Sequence, residues 1–239
     1  MAGQHVTAAA DPAAPARAAA PRVPYRCVLF DLDGTLVDSA PDLAAALNRM
    51  RRRRGLPDAP LEQLRPMASH GARGLLQAGL GAAPGDPDWV LLRDEFLADY
   101  ESAICVHTRP FDGVAELLRD LRRRALPWGI VTNKLSRYSS ALLERLDLGE
   151  RPGCVVSGDT VARAKPAPDP LLHAAASLGV DPAICLYVGD DLRDVQAALA
   201  AGMDAAAAAY GYGGADAARQ WGAHHVVERP LQLLQWLAA

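Results

Sequence analysis

The chain has 239 residues, half of them hydrophobic but only 5% aromatic, which is enough for one sizeable core or a core with a small second domain. A formal net charge of −3 excludes the basic balance of a nucleic-acid binder. No apolar run approaches the ~20 residues that a membrane-spanning helix needs, so a cytoplasmic protein without a membrane partner is expected. The first 24 residues are rich in alanine and proline and lack a basic segment followed by an apolar one; they read as a flexible tail. Cys27, Cys105, Cys154 and Cys185 lie far apart with no CxxC pair, and three fall in strand-like runs, so buried reduced thiols are expected.

The first predicted strand, Arg26–Asp31, is nearly all apolar. After it the pattern turns wholly helical, with helices predicted over Asp42–Arg54, Leu61–Ser69, Gly74–Leu80 and Asp88–Ile104. Beyond Cys105 strands and helices alternate. Strands are predicted at Trp128–Thr132, Cys154–Ser157, Ile184–Val188, Ala205–Ala209 and His225–Val227. Helices are predicted at Gly113–Arg124, Arg137–Leu146, Pro168–Leu178, Asp191–Ala201 and Ala215–Trp221. That alternation implies an α/β fold, a parallel sheet with helices on both faces and ligands at the carboxyl ends of its strands. Residues 41–106 then read as a helical cap inserted into a core made of residues 25–40 and 107–239. Trp89, Phe96 and Tyr100 on a cap helix could serve a core or an interface, and the oligomeric state stays open. The run Arg51–Arg54 reads as a solvated helix end, where cations favour the dipole.

Chemistry-bearing residues fall at the predicted strand ends. Asp31 and Asp33, two apart, should point the same way, and their repulsion calls for a cation or a shared proton. Mg²⁺, a hard ion that takes oxygen ligands, is the natural occupant. Thr132 and Asn133 end the second strand of the sheet, Lys165 follows the third, and Asp190 and Asp191 end the fourth. Carboxylates, a hydroxyl and an ammonium gathered at one sheet edge suit phosphoryl transfer.

In order and spacing, Asp31-Leu32-Asp33-Gly34-Thr35, Thr132, Lys165 and Gly189-Asp190-Asp191 resemble the four motifs of the haloacid dehalogenase superfamily, in its phosphatase branch. The likeness runs from Arg26 to the C-terminus and implies a Rossmann-like parallel sheet with a helical cap. It implies Asp31 as the nucleophile that becomes an aspartyl-phosphate, and Asp33 as acid for the leaving alkoxide and then base for water. Mg²⁺ would be held by the Asp31 carboxylate, the Asp33 backbone carbonyl and Asp190. Asp191 and Asp194 would orient the ion's waters, or would simply cap the following helix. Thr132, Asn133 and Lys165 would bind the phosphate. The second aspartate argues against the halide-displacing members, whose leaving group needs no acid.

Met67-Ala68-Ser69-His70-Gly71-Ala72-Arg73-Gly74 makes a polar turn within the expected cap. His70 and Arg73 either face the site, with Arg73 meeting a substrate anion, or cap helices and face solvent. The overall likeness to phosphoglycolate phosphatases points to 2-phosphoglycolate, a small phosphorylated metabolite. Pro127 to Lys134, Gly-Asp-Asp-Leu-Arg-Asp and Tyr210-Gly211-Tyr212 also resemble bacterial N-acetylmuramic acid 6-phosphate phosphatases, and Asp191 stands where phosphoglycolate phosphatases more often have serine. A sugar phosphomutase of the same fold is a further alternative. A receiver-like binding module also uses strand-end aspartates, Thr and Lys, but is about half this length and lacks the helical insertion.

Overall fold

The computed structural model describes residues 21, 22 and 24–239, so the expected tail lies almost wholly outside the described residues. In chain order, β1 (Cys27–Phe30) and β2 (Val37–Asp38) precede the helices α1 (Ala40–Arg53), α2 (Leu61–Leu64), α3 (Gly71–Leu80) and α4 (Trp89–Ser102). Then come β3 (Arg109–Pro110), α5 (Val114–Arg123), β4 (Trp128–Val131), α6 (Ser136–Arg145), β5 (Cys154–Val156) and α7 (Asp169–Leu178). The chain ends with β6 (Cys185–Gly189), α8 (Leu192–Ala200), β7 (Asp204–Ala208), α9 (Gly214–Ala218), β8 (His225–Val227) and a closing 3-10 segment over Pro230–Trp236.

Six strands form one parallel sheet in the order β5-β4-β1-β6-β7-β8. The chain runs outward from β1 through β4 and β5, then returns to the other side of β1 and runs outward through β6, β7 and β8. Such a reversal opens a crevice at the carboxyl ends of the central strands. Side chains alternate across the sheet, as a pleated strand requires. Val28, Phe30, Leu186 and Val188 join one apolar cluster with α5, while Cys27, Leu29, Cys185 and Tyr187 join a second with α7 and α8. β7 holds four alanines, poor strand formers. Its flanking strands decide the matter, and all five of its residues are buried.

All six predicted strands are present. Two features were not foreseen. β2 and β3 pair antiparallel, tying together the segments that enter and leave the helical run. The predicted helix Leu61–Ser69 is one α turn followed by a 3-10 segment over Arg65–His70, because Pro66 has no N–H for a continuing α ladder. Cys27 and Cys185 are buried and unbridged as expected, but Cys154, on the edge strand β5, is partly exposed.

α1 organises the helical run. Its first-turn Asp42 is buried and accepts backbone N–H bonds from Val106, His107 and Thr108 at 2.9–3.0 Å, plus the Thr108 hydroxyl at 2.7 Å. Leu47 and Met50 join the same cluster as Phe96 and Tyr100 of α4, so these two aromatics serve this chain's own core. At the far end Arg53 and Arg54 pair with Glu95 of α4, and Arg52 with Asp58. Three of the four arginines thus form partly exposed ion pairs, and Arg51 donates to the Pro57 and Gly79 carbonyls. Among the described residues, no helix is long and apolar enough to cross a membrane.

Candidate active site

Asp31 directly follows β1, and its N–H continues the ladder by donating to Val188 of β6 at 2.9 Å. Its Oδ1 accepts the Leu32 N–H at 2.7 Å and lies 3.1 Å from Lys165 Nζ, which fixes the carboxylate plane. Lys165 Nζ also donates to the Val131 carbonyl (2.9 Å), Tyr187 Oη (2.7 Å) and Asp194 Oδ1 (2.7 Å). Burial works against the charge of this lysine, but Asp194 and Asp31 outweigh it and hold its pKa above the ordinary value.

Asp190 ends β6 and is 1% exposed. It accepts from the Tyr212 N–H (2.9 Å), Thr35 Oγ1 (3.2 Å) and Ser69 Oγ (3.3 Å). Gly34, at φ +82°, passes so close that a Cβ there would fall 2.1 Å from Asp190 Oδ2, so only glycine permits this approach. Asp31, Asp190 and Asp194 each offer an oxygen, and these oxygens lie within 4.8 Å of one another. Burial, then Asp194 and Asp33, push Asp31 up to about 7 against the pull of Lys165. Asp190 is also raised well above the carboxylate range, by burial first and then by Asp31 and Asp194. Three crowded carboxylates facing the single ammonium of Lys165 are the donor set that a hard divalent cation fits.

The Asp33 carboxylate lies outside that triad. Both its oxygens are 3.1 Å from Lys134 Nζ, and Ser39 Oγ donates to Oδ1. Thr132 is buried at the end of β4, and its Oγ1 accepts the Lys134 N–H at 3.2 Å. The Asn133 side-chain amide bonds the Lys165 N–H and C=O, both at 3.0 Å, and so positions that lysine. Asp191 caps α8, accepting the Arg193 N–H at 2.9 Å, while Asp194 completes the capping box through the Asp191 N–H. Asp194 thus caps the helix and also stands in the carboxylate triad.

A cavity of about 260 Å³ takes in Asp31, Asp33, Thr132, Asn133, Lys165, Asp191 and Asp194 at the sheet edge, with Ala68, Ser69, His70 and Gly71 opposite. His70 is therefore brought to the site. Arg73 is not; it lies in an adjoining outer hollow. Lys134 and Arg193, quoted in the sequence only within stretches of likeness and given no role there, also line the cavity. Tyr212 was likewise quoted without a role. The Tyr212 hydroxyl accepts the N–H groups of Ser39 and Ala40 at the start of α1 (2.7 and 3.0 Å), and Tyr210 Oη donates to the Thr35 carbonyl at 3.0 Å. The only available signals were two tyrosines just past a predicted strand and charges beside recognised motifs.

Comparison with known proteins agrees with this geometry. Residues 25–202 match the model of the haloacid dehalogenase-like hydrolases. The chain is 42% identical over 217 residues to the N-acetylmuramic acid 6-phosphate phosphatase of Pseudomonas aeruginosa, covering 90% of this chain and 96% of that one. It is 46% identical over 212 residues to the phosphoglycolate phosphatase of Xanthomonas campestris, covering 87% and 94%. A Haemophilus somnus crystal structure, predicted to be a phosphoglycolate phosphatase, superposes with a TM-score of 0.78 at 25% identity over 90% of this chain and 99% of that one. Motifs, fold and relatives agree, and the chain belongs to the haloacid dehalogenase-like hydrolase family.

Proposed function

We propose that this phosphatase is a Mg²⁺-dependent phosphomonoester hydrolase that works through an aspartyl-phosphate on Asp31, with 2-phosphoglycolate as its leading substrate. The observation that supports the chemistry is that Asp31, Thr132 and Lys165 line one small cavity while Asp190 brings an oxygen within 4.8 Å of one on Asp31. In the first step the Asp31 carboxylate attacks phosphorus while Asp33 gives its proton to the departing alkoxide oxygen. In the second, Asp33 takes a proton from the water that attacks the aspartyl-phosphate, freeing inorganic phosphate and restoring Asp31. Thr132 holds a phosphoryl oxygen, and Lys165 keeps the nucleophile aligned through its bonds to Asp31 and Asp194. Mg²⁺, bound by Asp31, Asp190 and the Asp33 carbonyl with Asp194 alongside, would supply charge neutralisation for the phosphoryl oxygens.

On this reading residues 41–106 act as a cap over the core of residues 25–40 and 107–239, because the turn at Ala68 to Gly71 faces the carboxylates across the cavity. His70 would contact the substrate from the cap. The partner is a small phosphorylated metabolite in the cytoplasm. A second reading, hydrolysis of N-acetylmuramic acid 6-phosphate, is favoured by the Pseudomonas aeruginosa relative and by the Tyr210-Gly211-Tyr212 segment.

The test is phosphate release from 2-phosphoglycolate, N-acetylmuramic acid 6-phosphate, hexose phosphates and an aryl phosphate, with Mg²⁺ and with chelator. A hundredfold preference in kcat/KM corresponds to about 2.7 kcal/mol and decides the substrate. Absence of chelator-sensitive release from every substrate would refute the phosphatase reading.

A further inference from the structure

Ser39 occupies the N-cap position of α1, where a serine oxygen ordinarily accepts an N–H from the first turn. Its side chain makes no such bond. Pro41, inside that turn, has no N–H to offer, and the Ser39 hydroxyl donates instead to Asp33 Oδ1. Ser39 and Ala40 are 0% and 1% exposed, so their own N–H groups need an acceptor from the protein. Tyr212 supplies it: its Oη lies 2.7 Å from the Ser39 nitrogen and 3.0 Å from that of Ala40. A side chain 173 positions along the chain thus caps α1 in place of the serine.

Tyr212 is itself firmly held. Its N–H donates to Asp190 Oδ2 at 2.9 Å. A Cβ on Gly211 would fall 2.3 Å from Asp190 Cβ, and one on Gly213 2.6 Å from the Asp190 carbonyl oxygen. The backbone on either side of Tyr212 therefore packs directly on that aspartate. With two N–H groups accepted, the hydroxyl still has its own hydrogen to give, and Ser39 Oγ and Asp38 Oδ1 each lie 3.3 Å away. Both belong to the segment that leads into α1. Tyr212 does not line the inner cavity, so any effect of its hydroxyl on the reaction passes through the residues it holds.

We infer that Tyr212 is a positioning residue for proton transfer: by capping α1 it frees the Ser39 hydroxyl to orient Asp33. The inference rests on the phosphatase reading and deepens it, since it gives the proposed acid a second support beside Lys134. Asp33 Oδ1 receives the Ser39 hydroxyl and lies 3.1 Å from Lys134 Nζ, so two groups from different elements fix the plane of this carboxylate. Without the Tyr212 oxygen, the Ser39 hydroxyl becomes the local acceptor for the first turn and is drawn away from Asp33. Asp31, Lys165 and the main-chain bond from Tyr212 to Asp190 stay as they are. Loss of this one hydroxyl should therefore slow departure of an alkoxide and spare the nucleophile.

The experiment compares wild-type protein, Tyr212→Phe, Ser39→Ala and the double variant with Mg²⁺. The substrates are 2-phosphoglycolate and N-acetylmuramic acid 6-phosphate, which release alkoxides, and p-nitrophenyl phosphate, which does not. The readout is kcat/KM, which covers the steps up to departure of the leaving group. Tyr212→Phe should lower it at least about tenfold on whichever alkyl phosphate the wild type hydrolyses, and less than about threefold on p-nitrophenyl phosphate. In the Ser39→Ala background there is no hydroxyl left to free, so adding Tyr212→Phe should cost less than about twofold more. Equal losses on both kinds of substrate, losses that multiply in the double variant, a loss that excess Mg²⁺ restores, or no loss at all would each overturn the inference while the active wild type keeps the phosphatase reading. If Tyr212→Phe does not fold, 3-fluorotyrosine at position 212 keeps the hydroxyl but weakens its oxygen as an acceptor. It should give the same selective loss in smaller measure, and an absent or unselective loss overturns the inference. No Mg²⁺-dependent release by the wild type from any substrate removes both readings.

Discussion

Lys134 Nζ lies 3.1 Å from both carboxylate oxygens of Asp33 and 4.6 Å from the centre of the Tyr100 ring. Burial works against the charge on this lysine, yet Asp33 and then Tyr100 outweigh it and raise its pKa above the ordinary value. The residue proposed to move protons is therefore oriented by a fixed cation on one side and by the Ser39 hydroxyl on the other. Lys134 makes its contacts to Asp33 and not to the Asp31 triad, so it should influence the proton-transfer half of the reaction.

Lys134→Met should separate substrates by their leaving groups. An alkoxide needs the proton that a well-placed Asp33 supplies, a contribution of about 10²–10⁴-fold, whereas p-nitrophenolate departs without it. Burst kinetics should show the rate of aspartyl-phosphate formation from 2-phosphoglycolate falling by about 10²-fold and that from p-nitrophenyl phosphate much less. Equal losses on both would show that Lys134 acts on the nucleophile or on binding. Leaving Asp33 unpaired should also reduce stability, toward the lower end of the ~3–5 kcal/mol for breaking a buried pair, because this carboxylate keeps some solvent contact.

The carboxylate triad makes stability depend on pH and metal together. Asp31 titrates at about 7 in the folded chain against an ordinary value of 3.8, and Asp190 is raised in the same direction. Between about pH 4 and 7 the metal-free folded chain holds protons that the unfolded chain has released, so its stability falls as pH rises through that window. A divalent cation takes the place of those protons. The rise in Tm on adding saturating Mg²⁺ should consequently be larger at pH 8 than at pH 5, as calorimetry with and without chelator can measure. A pH-independent rise would place the ion elsewhere.

Asp42 offers a test away from the chemistry. Its carboxylate accepts from three successive backbone N–H groups and the Thr108 hydroxyl, joining the start of α1 to the segment that leaves α4. Asp42→Ala strands those donors, and loss of buried bonds to a charged acceptor should cost about 3 kcal/mol in urea unfolding. Asp42→Asn retains one acceptor oxygen and should recover part of that. A change below ~0.5 kcal/mol for the alanine variant would mean that water replaces the carboxylate at no cost.

The sheet and its strand-end residues could be read from sequence because both obey local rules. Runs such as Cys27–Phe30 and Trp128–Val131 are apolar along their whole length, the mark of strands buried on both faces, and the polar residues begin where those runs stop. β2 and β3 were hidden because two residues are too few to show a period, and their pairing joins positions more than 70 residues apart. Lys134 and Arg193 were hidden for a different reason. A charged residue beside a motif reads as solvated until tertiary structure brings Asp33 or the Ser69 carbonyl against it. Which of its two open placements Arg73 takes was hidden by the same limit, since the turn that carries it can be recognised locally but its position in the outer hollow cannot.

Asp31 should show activity and stability pulling in opposite directions. It is one of three carboxylates whose oxygens lie within 4.8 Å, with Lys165 as the neutralising side chain against it and Asp194. Asp31→Asn removes a charge that Asp194 and Asp33 repel, keeps the side-chain shape, and leaves Lys165 still paired to Asp194. In chelator at pH 8, where the carboxylate is ionised, the variant should therefore unfold at the same temperature as the parent or higher. Turnover of 2-phosphoglycolate should fall at least about 10³-fold, because an amide oxygen is a poor nucleophile for phosphorus. The Mg²⁺-induced rise in Tm should shrink in the same variant, since one oxygen anion of the donor set is gone. A folded variant that keeps substantial turnover would exclude Asp31 as the phosphoryl acceptor, and one that loses stability in chelator would show that the carboxylate is held chiefly as a structural partner of Lys165.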